Sequence, residues 1–215
     1  LTIFISRSLA PDSVFAEKLA SYPLQAFSLL ELQPLPLPNP LPKADWYFFY
    51  SPAGLRFFLD QSPLPPNTKI GLLGPGTAKA APELQADFLG DGVPENCLAE
   101  FDALSSGQTV AFFRAQESRQ YLQKHLSQNQ TILDIVLYQN QIAKDFPDIQ
   151  AQILVLTSPL NARAYHQRYG SWTGKTVVAI GQSTAAALEN LACPAFHIAA
   201  NPSEEALAQT VLALI

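Results

Sequence analysis

Short apolar runs rich in β-branched and aromatic side chains alternate along the chain with stretches whose apolar positions recur every three or four residues. The runs are Thr2–Ser6, Phe27–Leu32, Trp46–Tyr50, Lys69–Leu73, Thr109–Phe113, Ile132–Gln139, Ile153–Leu156, Thr176–Ile180 and His197-Ile198, and they predict strands. Helices are predicted between them. Pro11-Asp12 opens one with Val14, Phe15 and Leu19 inward and an end near Tyr22-Pro23; Ser51-Pro52 opens another carrying Leu55, Phe58 and Leu59. Gly74-Pro75-Gly76-Thr77 turns into a helix that Pro82 shortens. Asn96–Leu104, Glu117–Leu126 with Tyr121 and Leu122 inward, the stretch after Ser158-Pro159, Ser183–Leu191 and a last helix capped by Asn201-Pro202-Ser203-Glu204 complete the set. Strands alternating with helices make parallel α/β sheets with helices on both faces.

The pattern occurs twice. Shifted back by 107, Thr157, Ser158 and Pro159 fall on Tyr50, Ser51 and Pro52, and Gly181, Thr184, Ala185 and Ala187 fall on Gly74, Thr77, Ala78 and Ala80. The same offset carries Ile5-Ser6-Arg7 onto Phe112-Phe113-Arg114, and Leu30-Glu31 onto Leu137-Tyr138. A chain of 215 residues is therefore a doubled half, and two similar lobes are expected. From Gln33 to Lys43 every second residue is proline, which forbids helix, makes an extended linker and leaves N–H donors on one edge only.

Composition narrows the function. With 48% apolar and 14% charged residues, no apolar run near membrane-spanning length and no basic segment before Leu1–Ile5, the chain reads as a soluble, cytoplasmic globular protein without a signal peptide. A net charge of −5 without a block of Lys or Arg argues against a nucleic-acid partner. Cys97 and Cys193 have no metal spacing and read as buried thiols.

Each copy sets hydroxyls and free backbone N–H groups at helix N-termini just after a strand, where open α/β sheets bind ligands and anions are favoured. Ser51, Thr77, Ser158, Ser183 and Thr184 occupy those ends, and Arg7 and Arg114 close their strands; facing lobes would bring them around a polycarboxylate or polyphosphate. Ser51 and Ser158 read equally as ordinary N-caps. Gly74-Pro75-Gly76 lacks the third glycine of a dinucleotide fingerprint, since position 79 is Lys79, and no Gly-Lys-Ser/Thr loop exists. His125, His166 and His197 stand singly, and no serine sits in G-x-S-x-G, so metal hydrolysis and triad chemistry have no support.

Taken in order, Trp46–Leu55, Gly74–Ala80, Phe112-Phe113-Arg114, Leu137-Tyr138-Gln139, Leu156–Pro159 and Ile180–Leu188 resemble the uroporphyrinogen-III synthase family over nearly the whole chain. The resemblance implies two flavodoxin-like parallel-sheet lobes joined by a two-stranded β ladder. Lobe one would comprise residues 1–31 and 141–215, lobe two residues 38–135, and the linker strands residues 32–37 and 136–140.

It further implies a monomeric, cofactor-free and metal-free enzyme of tetrapyrrole (haem) biosynthesis. Such an enzyme closes hydroxymethylbilane, held between the lobes, to uroporphyrinogen III through a spiro intermediate that inverts ring D. Tyr138 matches the family's tyrosine at the second crossing and would protonate the departing hydroxyl. Ser51, Thr77, Ser158, Ser183, Thr184, Arg7 and Arg114 would hold acetate and propionate groups. Departures stand at Tyr50, Gln182-Ser183 and Pro75-Gly76. The alternative is a non-catalytic two-lobed sensor or binding protein for a carboxylated small molecule.

Overall fold

The computed structural model describes residues 1–215. In chain order it forms β1 (Ile3–Ile5), α1 (Val14–Lys18), β2 (Leu24–Ala26), β3 (Leu30–Pro34), β4 (Trp46–Phe49) and α2 (Pro52–Leu59). There follow β5 (Lys69–Leu72), α3 (Pro75–Ala78), β6 (Phe88–Leu89), α4 (Pro94–Ser105), β7 (Thr109–Ala115) and α5 (Tyr121–His125). The chain ends with β8 (Thr131–Ile142), β9 (Ile153–Leu156), α6 (Pro159–Tyr169), β10 (Thr176–Ala179), α7 (Gln182–Asn190), β11 (His197–Ile198) and α8 (Glu204–Leu212). No helix is long and apolar enough to cross a membrane.

The offset of 107 holds in three dimensions. α5, β9 and β10 begin and end 107 positions after α1, β4 and β5. Pairing repeats as well: Trp46 lies opposite Val110 and Lys69, and its counterpart Ile153 lies opposite Ile3 and Thr176. The chain nevertheless does not divide at the repeat boundary. Leu1–Glu31 with Gln141–Ile215 make one compact unit, and Leu32–Asn140 make the other.

Within the first unit the parallel sheet runs β2-β1-β9-β10-β11; in the second the order is β3-β8-β7-β4-β5-β6, parallel from β8 to β6. Numbered within a half, both contain the order 2-1-3-4-5, that of flavodoxin-type doubly wound sheets. Within that five-strand order each sheet takes strands 2 and 1 from one half of the chain and strands 3, 4 and 5 from the other, and β3 adds a sixth strand at the edge of the second sheet.

These strands are buried on both faces, which is why they read as continuous apolar runs. In β4, Tyr47 and Phe49 face Leu55, Phe58 and Phe113, while Trp46 and Phe48 face Phe101, Val110 and Phe112. In the first unit, Leu154 and Leu156 pack with α6 and α7 side chains, and Ile153 and Val155 pack with Phe15 and Leu207. Each such side chain contributes about 1.5–3 kcal/mol of burial.

Three helices differ from expectation at their ends. α1 starts at Val14 on a Ser13 cap, and Val14 itself is exposed while Phe15 and Leu19 are fully buried. Gln120 adopts φ 57°, so Glu117–Arg119 stay outside α5. α3 stops after a single turn, well before Pro82, whereas its counterpart α7 continues to Asn190. In the proline-rich segment two of the remaining donors are used: Leu35 N–H donates to Leu137 O at 2.7 Å and Leu37 N–H to Gln61 Oε1 at 3.0 Å.

A β-carbon on Gly71 would stand 2.5 Å from the Phe48 ring, against nothing within 4 Å at Gly76. Gly71→Ala should lower stability by about 1–3 kcal/mol. Gly76→Ala should leave it unchanged or raise it by up to about 1 kcal/mol. Thermal unfolding of both variants checks the pair.

Candidate functional site

Parallel strands put their carboxyl ends on one edge, and ligands bind such sheets where the strand order reverses. In the first unit that reversal lies between β1 and β9. There Thr157 N–H donates to Ser6 Oγ at 2.8 Å, Thr157 Oγ1 donates to Ser6 O at 3.0 Å, and the two hydroxyls lie 3.1 Å apart. These bonds tie the two strand ends together and leave Arg7 just beyond. Arg7 is half-buried, and the ion pairs of this unit, Lys18–Glu205 and Arg168–Asp145, do not claim its guanidinium.

Ser158 caps α6, where proline at the first helical position needs no donor. Its Oγ accepts from Asn161 N–H at 3.1 Å and from Asn161 Nδ2 at 2.9 Å. Asn161 Oδ1 in turn accepts from the buried Leu29 N–H at 3.1 Å, which fixes the amide. Next along the edge, α7 starts from Gly181, which offers no capping side chain, so the N–H groups of Gln182 and Ser183 are uncapped, while those of Thr184 and Ala185 donate to Gly181 O. Ser183 is exposed there.

Thr184 is turned into the core. It is fully buried, and its Oγ1 has no hydrogen-bond partner in its unit. Helical periodicity is the reason: Thr184, Ala187 and Leu188 share the inward face, and Ser183 is turned about 100° away. Thr77 faces inward in the same way and is only 3% exposed. Its surroundings differ too, because Gly92 packs so closely on Gly74 that a β-carbon on Gly74 would lie 2.6 Å from Gly92 Cα. Asp91 sits beside that approach, and hydrogen bonds from Asn96 and from Val93 N–H hold its carboxyl below the usual range.

In the second unit the reversal lies between β7 and β4, and the tyrosine of β8 reaches it. Ser51 Oγ caps α2 by accepting from Gly54 N–H at 3.1 Å, and lies 2.8 Å from the Tyr138 hydroxyl. A β-bulge brings Tyr138 there. Arg114 pairs with Val136 but Ala115 with Tyr138, so one residue of β8 is extra and Leu137 and Tyr138 both enter the same core. The Tyr138 ring packs on Phe57 at 5.5 Å and passes over Gly54, where a β-carbon would stand 3.6 Å from the ring.

Arg114 is placed differently from the expectation that it binds substrate. Its Nε and Nη2 grip both oxygens of Asp134, and its Nη1 donates to Ala115 O at 2.8 Å and to Gln116 O at 3.1 Å. Those bonds use up most of the guanidinium and hold the bulged strand ends together. Burial alone would raise the Asp134 carboxyl, but hydrogen bonds from Arg114 and Gln123 and the Arg114 charge outweigh it and hold the carboxyl below its usual range. Beside this pair, Tyr50 donates to Gln123 Oε1, and burial pushes its hydroxyl well above the ordinary tyrosine range.

Several residues of this site went unnoticed in the sequence, among them Asp134, Gln123, Gly54 and Asn161; the last two carried a signal. They occupy one position in the two copies, three residues after the capping serine, and their difference under the offset of 107 was the available signal. Two surface grooves lie elsewhere. One of about 390 Å³ is lined by Lys144, Phe146 and Arg168, and one of about 350 Å³ by Lys43, Tyr47 and Pro66. The chemistry-bearing residues of the strand ends line neither. No cluster of three His, Cys, Asp or Glu side chains suited to a metal ion is present.

The family described as uroporphyrinogen-III synthase HemD matches residues 19–209. No curated protein sequence matches the chain. Among solved structures, uroporphyrinogen-III synthetase from Helicobacter pylori is similar over 100% of this chain and 99% of its own, with 21% identity and a TM-score of 0.62, a likeness of fold. Uroporphyrinogen III synthase from Thermus thermophilus is similar over 100% of both chains with 16% identity and a TM-score of 0.43, too low to support an argument.

Because Asp134 is held below the usual carboxylate range in the fold, its contribution to stability is complete above about pH 4 and is lost as pH falls through the depressed value. Asp134→Asn should therefore destabilise the protein at neutral pH by about 1–2 kcal/mol, a figure kept modest because the carboxylate is partly exposed. It should also flatten the acid limb of a stability-against-pH curve from chemical denaturation.

Proposed function

The chain belongs to the uroporphyrinogen-III synthase family, and we infer that it carries out the family's reaction, closing linear hydroxymethylbilane to uroporphyrinogen III with inversion of ring D. The observation that carries this reading is the family match across residues 19–209. At the level of residues it is supported by the Tyr138 hydroxyl lying at the strand edge on the cap of α2.

The chemistry asks little of a protein beyond placement. Loss of the hydroxymethyl oxygen as water leaves an azafulvene cation on ring A. The substituted carbon of ring D attacks it to give a spiro intermediate, which fragments and recloses through the other ring D carbon. Free in solution the bilane closes instead to the symmetric isomer I, so the enzyme's task is to hold the productive carbon nearer and to exclude water. We assign Tyr138 as the general acid for the departing hydroxyl. Ser158, Ser183 and Arg7 are proposed as carboxylate ligands, together with the uncapped N–H groups of α7. Thr184 and Thr77 enter this reading as core supports of their helices, and Arg114 as the brace of the β-bulge.

The proposal extends to the architecture. Residues 1–31 with 141–215 and residues 38–135 are taken as the two lobes, and residues 32–37 with 136–140 as the extended ladder connecting them. The enzyme is proposed to act as a monomer on a small-molecule tetrapyrrole.

Freshly generated hydroxymethylbilane supplied to the folded protein, with products oxidised to porphyrins and separated by chromatography, should give isomer III well above the blank. Isomer I alone would instead favour a binding protein for a carboxylated molecule. Tyr138→Phe should lower kcat about 100-fold. Arg7→Ala should act mainly on KM, raising it roughly tenfold through loss of one charged hydrogen bond.

A further inference from the structure

The two copies of the Ser-Pro helix cap differ in what their serine hydroxyl has left to give. A serine hydroxyl carries one hydrogen and two acceptor lone pairs. Ser158 accepts twice, from Asn161 N–H and from Asn161 Nδ2, so its lone pairs are filled and its hydrogen is uncommitted within its unit. Ser51 accepts once, from Gly54 N–H, and its second bond is shared with the Tyr138 hydroxyl at 2.8 Å. Tyr138 also has a single hydrogen. If Tyr138 gives that hydrogen to a substrate oxygen, its bond with Ser51 persists only with Ser51 as the donor. Ser51 then has no hydrogen for a carboxylate.

We propose that Ser51 is a positioning residue for Tyr138, and that Ser158, its copy, is the serine that donates to a substrate carboxylate. This inference rests on the synthase reading above. Gly54 makes the arrangement possible. Under the offset of 107 it stands where the second copy has Asn161, and a side chain there would meet both Ser51 Oγ, 3.3 Å from a β-carbon, and the Tyr138 ring, 3.6 Å away. With asparagine at that position the amide fills the second lone pair of serine; with glycine the ring of Tyr138 takes the space and its hydroxyl takes the serine.

In the reaction, the Tyr138 O–H bond breaks and the proton passes to the hydroxymethyl oxygen. The carbon–oxygen bond breaks with its electron pair on oxygen, water leaves, and the carbon remains as the azafulvene cation. Ser51, held by the first turn of α2, donates to the phenolate oxygen left behind. After the macrocycle recloses, the proton lost from the ring D carbon restores the phenol, so the net change is loss of one water.

The test is steady-state kinetics on hydroxymethylbilane, counting isomer III over the spontaneous isomer I. Each variant's fold is checked by circular dichroism and thermal unfolding. Ser51→Ala should lower kcat roughly tenfold or more with KM held within about twofold. Ser51→Thr, which keeps the hydroxyl, should restore most of kcat. Ser51→Asp, which still caps α2 but brings no hydrogen at neutral pH, should lose kcat as Ser51→Ala does. Ser158→Ala should raise KM with kcat held. Adding Ser51→Ala to Tyr138→Phe should cost nothing further. A rise in KM at constant kcat for Ser51→Ala, or fully additive losses in the double variant, would overturn this inference while leaving the synthase activity standing. No isomer III from the folded wild-type protein would overturn the synthase reading and this inference with it.

Discussion

The structure depends on two parallel strand pairings, β1 with β9 and β7 with β4. Each joins a strand from one half of the chain to a strand from the other, and each lies where the strand order of its sheet reverses. Through the first pairing Arg7 and Ser158 share an edge; through the second, Ser51 shares one with the end of β7, which positions β8 and its tyrosine. A parallel pair has no tight turn of its own and requires a crossover, so each pairing is secured by the cores on both faces. The fully buried Ile3, Val155, Phe49 and Phe113 are part of those cores.

The exchange between the halves is reciprocal, so equivalent positions meet equivalent neighbours, and the two sites differ because the residues there have diverged: Gly54 stands against Asn161 and Glu31 against Tyr138. Ser158 faces the Leu29–Asn161 network, while Ser51 faces Tyr138. In the proposed function the acidic balance of the chain is no obstacle to an anionic ligand, because the uncapped turn of α7, the Ser158 hydroxyl and Arg7 would supply local attraction.

Much of this was legible in the sequence. The offset of 107 anticipated the repeat of β4 and β5 as β9 and β10, because strands buried on both faces leave continuous apolar runs that survive divergence, whereas the strand expected over Phe27–Leu32 is instead split between β2 and β3. Helix ends were less legible. Val14 is apolar yet exposed, and Gln120 takes a left-handed backbone that no residue type announces. At the strand ends, residue type did not give the side-chain directions. Thr184 is buried while its neighbour Ser183 is exposed, Arg114 is consumed by Asp134, and Tyr138 reaches Ser51 through a bulge that depends on one extra residue in β8. The pairing of Gly54 with Asn161 was in the sequence throughout, but its meaning depended on knowing what fills the space above Gly54.

The central claim is that this chain exchanges one carbon–carbon bond at ring D. Hydroxymethylbilane carrying ¹³C at the bridge between rings C and D, and at the ring D carbon bonded to that bridge, tests it most directly. In the substrate the two labels are bonded neighbours and couple strongly in a ¹³C spectrum. Turnover through the spiro intermediate breaks that bond, so the one-bond coupling should disappear from the enzymatic product. A product formed by this protein in which the coupling survives would contradict the account.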